Sequence, residues 1–292
     1  MKKVLFVIGN FFVKYQAFFK RLLMSILTLV LAVIFGFICI KLMPGDVVTM
    51  YARNLMNARK IPYEDAYRLA VSILNYDPEQ NVFQQFGRYV AGLFHGDFGT
   101  SMYREDVTTL TVIRDFMPWT LLISGISLLI SFIIGILIGG RMAAKRKGVE
   151  HAVANSYIVV SGAIPDYIFG MLILIVFAVK LDIFPQGGNY DLMLEVNGLN
   201  PVLNVLYHAA LPIFAFSFVQ TGSWALSMRG SAIGVLGEDY IFAARVRGVP
   251  ERLIRSRYLR RNAMLPLIVS FALSCGAVFG GAPLILLLML QL

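Results

Sequence analysis

The chain has 292 residues, of which 58% are hydrophobic and only 15% charged, and its mean hydropathy is +0.72. A soluble domain carries about a quarter charged residues; here the apolar excess is gathered into runs, which excludes a soluble protein and points to an integral membrane protein. The net charge of +9 would suit a nucleic-acid binder, but the basic residues cluster at the ends of apolar runs. The expected partner is therefore the lipid bilayer, and no nucleic acid.

Residues 1–21 carry Lys2, Lys3, Lys14, Lys20 and Arg21 and no acid, which reads as a cytoplasmic N-terminal segment. Residues 22–42 are an apolar run of about 20, enough for one helical crossing. The run is too long for the hydrophobic part of a signal peptide, and no small-residue cleavage site follows it. It is read as the first span. Residues 43–117 are an exterior segment with nine acids and seven basic residues, beginning at Pro44-Gly45-Asp46. Ala66, Leu69, Ala70 and Ile73 predict an amphipathic helix over Glu64–Leu74, and Pro78 and Gly96-Asp97-Phe98-Gly99 punctuate the rest. A segment of this length is expected to be structured.

Residues 118–140 form the second span, entered at Pro118-Trp119 with an interfacial Trp. Gly135, Gly139 and Gly140 line its far end, where small residues let helices approach. Arg141, Lys145, Arg146 and Lys147 follow at once and mark a cytoplasmic loop. Residues 152–179 are a third apolar segment broken at Pro165-Asp166. Residues 181–206 are an exterior loop containing Phe184-Pro185-Gln186-Gly187-Gly188. Residues 208–228, with Pro212 and Trp224, are the fourth span. Residues 264–290, with Pro266, Gly276, Gly280, Gly281 and Pro283, are the fifth. The fold class is an all-α polytopic membrane protein of about five spans. Its spanning core is 118–292, interrupted by a basic loop at 229–263. The segments assigned to the cytoplasm hold 17 basic residues, so the N-terminus is placed inside.

Cys39 and Cys275 lie inside apolar segments and read as small buried hydrophobes. His95, His151 and His208 are too scattered for a metal site, and no cofactor is expected. No paired nucleophile and base, and no pair of acids, lies within the spans, so an intramembrane enzyme is disfavoured. Asp166 is the one acid within a span. A charge there is a pathway candidate, but an Asp just after a Pro at a helix break also serves local backbone hydrogen bonding. The prolines of the spans are read as tolerated kinks more than gates.

The loop 229–263 is the most informative stretch. It holds eight arginines against Glu238, Asp239 and Glu251. Within it, Asp239, Tyr240, Ala243, Ala244, Arg245, Arg247 and Gly248 suggest a short helix built for close approach to a partner, with Gly248 supplying the permissive backbone at its end. The alternative is a solvated basic loop that binds lipid headgroups.

Four patches resemble, in order, the permease subunits of the dipeptide/oligopeptide/nickel branch of ABC importers. Leu42-Met43-Pro44-Gly45-Asp46 resembles the Pro-Gly-Asp after the first span. Gln85-Phe86 through Gly96-Asp97-Phe98-Gly99-Thr100-Ser101 resembles the exterior Gly-Asp-Leu-Gly-x-Ser segment. Phe184-Pro185 with Gly188 resembles the short exterior loop. Asp239-Tyr240, Ala243-Ala244-Arg245, Arg247-Gly248 and Leu259 through Pro266 resemble the cytoplasmic EAA loop. Phe242 stands where that motif has its glutamate, an acid often missing in this branch.

The resemblance implies an ABC importer type I-like transmembrane domain with six family spans. The loop helix would dock on separate ATPase subunits, because the chain has no phosphate-binding Gly-x-x-x-x-Gly-Lys-Ser/Thr loop. A second homologous permease chain would complete the pathway, and an extracytoplasmic solute-binding protein would deliver di- or oligopeptides. The location it implies is a bacterial inner membrane. Nickel or oligosaccharide import is the alternative, as is a non-transporting scaffold. The apolar run Pro283–Leu292 replaces the family's exterior acid-aromatic segment, Pro-Gly turn and sixth span, and reads as a truncated or diverged end. Gly248→Asp is expected to abolish transport and leave insertion intact.

Overall fold

The computed structural model describes residues 16–42, 47–74, 80–101, 107–144, 147–188, 190–191, 198 and 200–279. Lys2, Lys3, Lys14, Pro44-Gly45-Asp46, Pro78, Lys145, Arg146 and the stretch from Gly280 through Pro283 to Leu292 lie outside the described residues. The described residues are helical apart from short connections and one isolated bridge between Thr100 and Thr108. The chain divides into two units, Met1–Ile113 and Arg114–Leu292.

In the first unit, α1 (Gln16–Leu42, 27 residues) has no buried residue. At 1.5 Å per residue it is about 40 Å long, longer than the roughly 30 Å hydrocarbon core of a bilayer. Ser25 and Thr28 return their hydroxyls to the carbonyls of Arg21 and Met24, which hides their polarity inside the helix. Helices α2 (Val47–Arg59) and α3 (Tyr63–Ile73) form a hairpin. Val48, Tyr51, Ala52 and Leu55 recur at helical spacing and pack on Ala66 and Ala70, all six buried. The alanines permit close contact between the axes. Lys60, at φ 52°, ends α2, and Pro62 pre-sets the entry to α3. Helix α4 (Val82–Phe94) is capped by the Asn81 side chain and sets Phe86 and Tyr89 against Phe37 of α1. Gly96 and Gly99 take positive φ, and the Asp97 carboxylate accepts the Gly99 N–H at 2.9 Å, closing the turn expected there.

The second unit is built around α5 (Thr109–Ala144, whose first turn belongs to the first unit) and α8 (Pro201–Leu236), each 36 residues long. Both overrun the sequence assignments of 118–140 and 208–228. The apolar window marks only where the helix crosses lipid, and the polar ends of both helices continue beyond it. Helix α5 starts where the Thr108 hydroxyl accepts the Thr111 N–H, so Pro118 lies inside the helix rather than at its entry. Helix α8 starts at Pro201, capped by Asn200, whose side chain accepts the Val202 N–H at 2.9 Å. Its first turns therefore replace the end of the expected 181–206 loop.

Helices α5 and α8 run parallel in tight contact. Ser127 donates to the Ile213 carbonyl and Ser217 to the Ser127 carbonyl. Farther along, Gly135 lies against Thr221, Trp224 and Ala225, and Gly139 against Ala225 and Met228. A Cβ on Gly135 would overlap the Trp224 Cβ, and one on Gly139 the Ala225 carbonyl oxygen. The expected small-residue approach is thus a backbone-to-backbone contact with α8.

The segment broken at Pro165 is α6 (Val149–Ala163) followed by α7 (Asp166–Leu174), the latter continuing as a π-helical turn, Ile175–Lys180; the two limbs meet at 98°. Their contacts advance steadily along α8. Asn155 meets Arg229, Ser161 meets Gly222, Phe169 meets Phe218, and Phe184 with the Ile183 carbonyl meets Tyr207. From Arg229 to Tyr207 is about 33 Å of helix, a full bilayer core. The pair therefore crosses as one broken span.

After α8, α9 (Asp239–Val246) is the loop helix. Glu251–Leu253 (α10), a π-helical turn Ile254–Leu259, and α11 (Arg260–Phe279) then run on as the last described span, Glu251–Phe279. Leu259, Ala263 and Leu267 pack with Trp224, Met228 and Ala232, antiparallel to α8. Among the described residues, counting the broken pair once gives five candidate spans, the number read from the sequence.

Candidate functional site

The site is assembled at the end of α8. Glu238 is the N-cap of α9, and Asp239 lies in the first turn, where a carboxylate meets the positive end of the helix. At the other end Gly248 adopts φ +75°. Its N–H donates to the Arg245 carbonyl at 2.9 Å, and the Val249 N–H donates to the Ala244 carbonyl at 3.1 Å. These two bonds define a Schellman end. Val249 completes it by packing beside Ala244 and Ile241. A helix of eight residues has little intrinsic stability; this one is held by its end and by one buried face.

That buried face is Ile241 and Ala244, set on Ile254 with Val235 and Val249 alongside. Two polar ties reinforce it. The Asn262 amide donates to the Tyr240 hydroxyl at 3.0 Å. The Arg245 guanidinium donates to Glu251 at 2.8 Å. Both ion-pair partners are about half exposed, 46% and 52%, so that pair adds at most about 1 kcal/mol and works mainly as a strut.

Asp239, Tyr240, Ala243, Arg245, Arg247 and Gly248 are exposed, whereas Ala244 is buried. Ala244 thus seats the helix, and of the two alanines only Ala243 faces outward. The sequence reading did not single out Phe242 and Val246, which are 70% and 71% exposed. They are four residues apart and share one face, giving the loop helix an outward apolar knob. In the sequence Phe242 stands out as the residue in place of the motif's glutamate, and its i, i+4 spacing to Val246 is the signal that marks the shared face.

Asp166 is the first residue of α7, half-buried, and its carboxylate accepts the Tyr167 N–H at 2.9 Å. The local backbone bonding weighed for it is present. Nearby, Phe169, Phe214 and Phe218 pack together, and Phe218 meets edge-on the ring of Tyr157, whose hydroxyl bonds to the Phe218 carbonyl. Aromatic packing therefore stiffens the bend on both sides of Pro165. Pro212 is buried in the core of α8, while Pro266 faces out from α11. His208 is buried and bonds to the Asn204 carbonyl, a packing role.

Comparison with known proteins gives one family match: residues 109–292 match the family described as "Binding-protein-dependent transport system inner membrane component". The chain is 30% identical, over 90% of its length and 79% of the relative's, to the oligopeptide transport system permease protein AppB of Bacillus subtilis. It is 34% identical, over 70% of its length and 65% of the relative's, to the probable D,D-dipeptide transport system permease protein DdpB of Escherichia coli. It is 28% identical, over 90% of its length and 78% of the relative's, to the glutathione transport system permease protein GsiC of Salmonella paratyphi A.

Proposed function

The chain belongs to the binding-protein-dependent transport system inner membrane component family, a multi-pass permease subunit of an ABC importer and not itself an enzyme, and from that premise we propose that it carries short peptides. The named cargoes of the relatives above are an oligopeptide, a dipeptide and glutathione. All three are short peptides in chemistry, and this supports peptide over nickel or oligosaccharide.

The observation that carries the mechanism is the apolar knob of Phe242 and Val246 on a helix that follows α8 directly and is seated on Ile254 with Val235 alongside. Such a knob suits a hydrophobic groove on an ATPase subunit, with Arg247 and Asp239 at its rim. Closure of the ATPase pair would push α9, and α8 with it. Because α5 contacts α8 backbone to backbone, the two would move as one body, and the broken span beside them would follow. A second homologous permease chain would complete the pathway, and an extracytoplasmic solute-binding protein would load it. The arginine-rich end would face the cytoplasm, and with it the N-terminus.

The test is uptake by the assembled importer in proteoliposomes, comparing labelled dipeptide, a longer oligopeptide, glutathione, nickel and an oligosaccharide. Uptake of a peptide, competed only by peptides, is the expected outcome. Uptake of nickel or sugar with no peptide competition would overturn the substrate assignment and leave the permease assignment standing.

A further inference from the structure

Beside the loop helix lies a second feature that docking does not use. A cavity of about 540 Å³ opens between α5 and the π-helical turn that precedes α11. Arg141, Arg252, Arg255 and Arg260 surround it with Ser256, while Ile136, Leu137, Met228 and Leu259 form its apolar floor. The arginines are exposed, and Ile136, Met228 and Leu259 beneath them are buried. Among the described residues no carboxylate pairs with any of the four arginines. Four arginines around one cavity give it a positive rim that attracts an anion.

The backbone contributes to this gathering. The wide turn Ile254–Leu259 carries Arg255, Ser256 and Leu259 to the cavity, flanked by Arg252 and Arg260. From Ile136 to Ala144 the α5 wall is about 12 Å long, enough to run through the headgroup region, about 5–8 Å deep on each side, and into the start of the hydrocarbon core. Above Leu137, at helical spacing, Ile133 and Leu129 are 57% and 51% exposed, an apolar track leading away from the arginines.

We propose that this cavity is a binding site for an anionic phospholipid. Its phosphate would be held in the fork of the guanidiniums, and its acyl chain would lie on the floor and along Leu137, Ile133 and Leu129. A basic pocket between spans with an apolar floor is the arrangement that recognises such a headgroup. The complementarity is double: positive rim for phosphate, apolar floor for chain. A soluble phosphate uses only the first, and a protein partner would need acids to match a rim this basic.

The experiment is native mass spectrometry of the full chain in its purified complex, released from detergent with phosphatidylglycerol, phosphatidylcholine or inorganic phosphate as the added probe. Selective retention of phosphatidylglycerol is expected. Arg252→Gln with Arg255→Gln should lower it about fivefold for each charge removed, the paired lysine substitutions should restore only part of it, because they return the charge without the fork, and Arg257→Gln, outside the cavity lining, should leave it unchanged. Monodisperse elution of each variant guards against misfolding. Equal retention of phosphatidylcholine, retention unaffected by the double variant, occupancy by inorganic phosphate with no lipid, or protection only by a protein subunit would each overturn the proposal.

Discussion

Gly248 shows how much one backbone angle controls. Its φ of +75° is a conformation L side chains rarely adopt, and a Cβ added there meets nothing within 4 Å. Substitution therefore strains the backbone without any clash. Gly248→Ala should cost about 1–2 kcal/mol, and Gly248→Val more, because a β-branched residue is a genuine outlier in that region. Aspartate visits it more readily than valine does, so Gly248→Val is a sharper test than Gly248→Asp. Transport should fall in the order Gly, Ala, Val while the amount of chain in the membrane stays constant; equal transport by the valine variant would remove the Schellman end from the mechanism. Gly139 presents the opposite case. An added Cβ overlaps the Ala225 carbonyl oxygen and lies 2.9 Å from the Met228 Cβ, so Gly139→Ala must part α5 from α8. A loss of about 1–3 kcal/mol should appear as a lowered melting temperature in detergent, whereas Gly125→Ala, with nothing within 4 Å, should not lower it.

Among the elements, α9 joins a weak helix to a defined outer face. Phe242→Asp with Val246→Asp leaves Ile241, Ala244 and the end of the helix untouched, so the chain should insert and fold normally. If the knob is the centre of the docking contact, the double variant should weaken ATPase binding by about 2 kcal/mol or more, roughly thirtyfold, read by co-purification. Undiminished co-purification would place docking elsewhere. The contact of α6 with α8 gives a second handle. A Cβ on Gly222 would overlap the Ser161 hydroxyl; Gly222→Ala should lower the melting temperature, and adding Ser161→Ala should recover part of the loss. Failure to recover would argue against the register of the broken span on α8. Much of this level was legible in the sequence. The helix at Glu64–Leu74, the turn at Gly96–Gly99 and the break at Pro165 each rest on local chemistry. The ends of α5 and α8 were not legible, because hydropathy stops at the edge of the lipid and helical hydrogen bonding does not. Nor was the outward face of α9: eight residues give barely two turns, and only the packing of Ile241 and Ala244 on Ile254 decides which side is left free.

At the scale of the whole molecule, spans of unequal character support one another. Helix α8 is the axis, with α5 parallel to it and α6, α7 and α11 antiparallel. The basic ends of these helices gather at one end, and the proposed orientation rests on that asymmetry. Apolar runs and their charged flanks revealed the spans and this asymmetry, but the neighbours of each span lay beyond local sequence, because they depend on which glycine meets which carbonyl. With the arginine-rich end inside, a cysteine at position 247 should react with an impermeant thiol reagent only from the cytoplasmic side, and one at position 83 only from outside. The reverse pattern would invert the topology. The central claim is that this chain couples ATP hydrolysis on other subunits to a solute outside, and it is tested most directly by ATPase assay of the reconstituted importer with and without a peptide-loaded binding protein. The account predicts peptide-stimulated hydrolysis that is lost in the Phe242→Asp, Val246→Asp variant. Hydrolysis indifferent to the loaded binding protein, or equally stimulated in the variant, would contradict it.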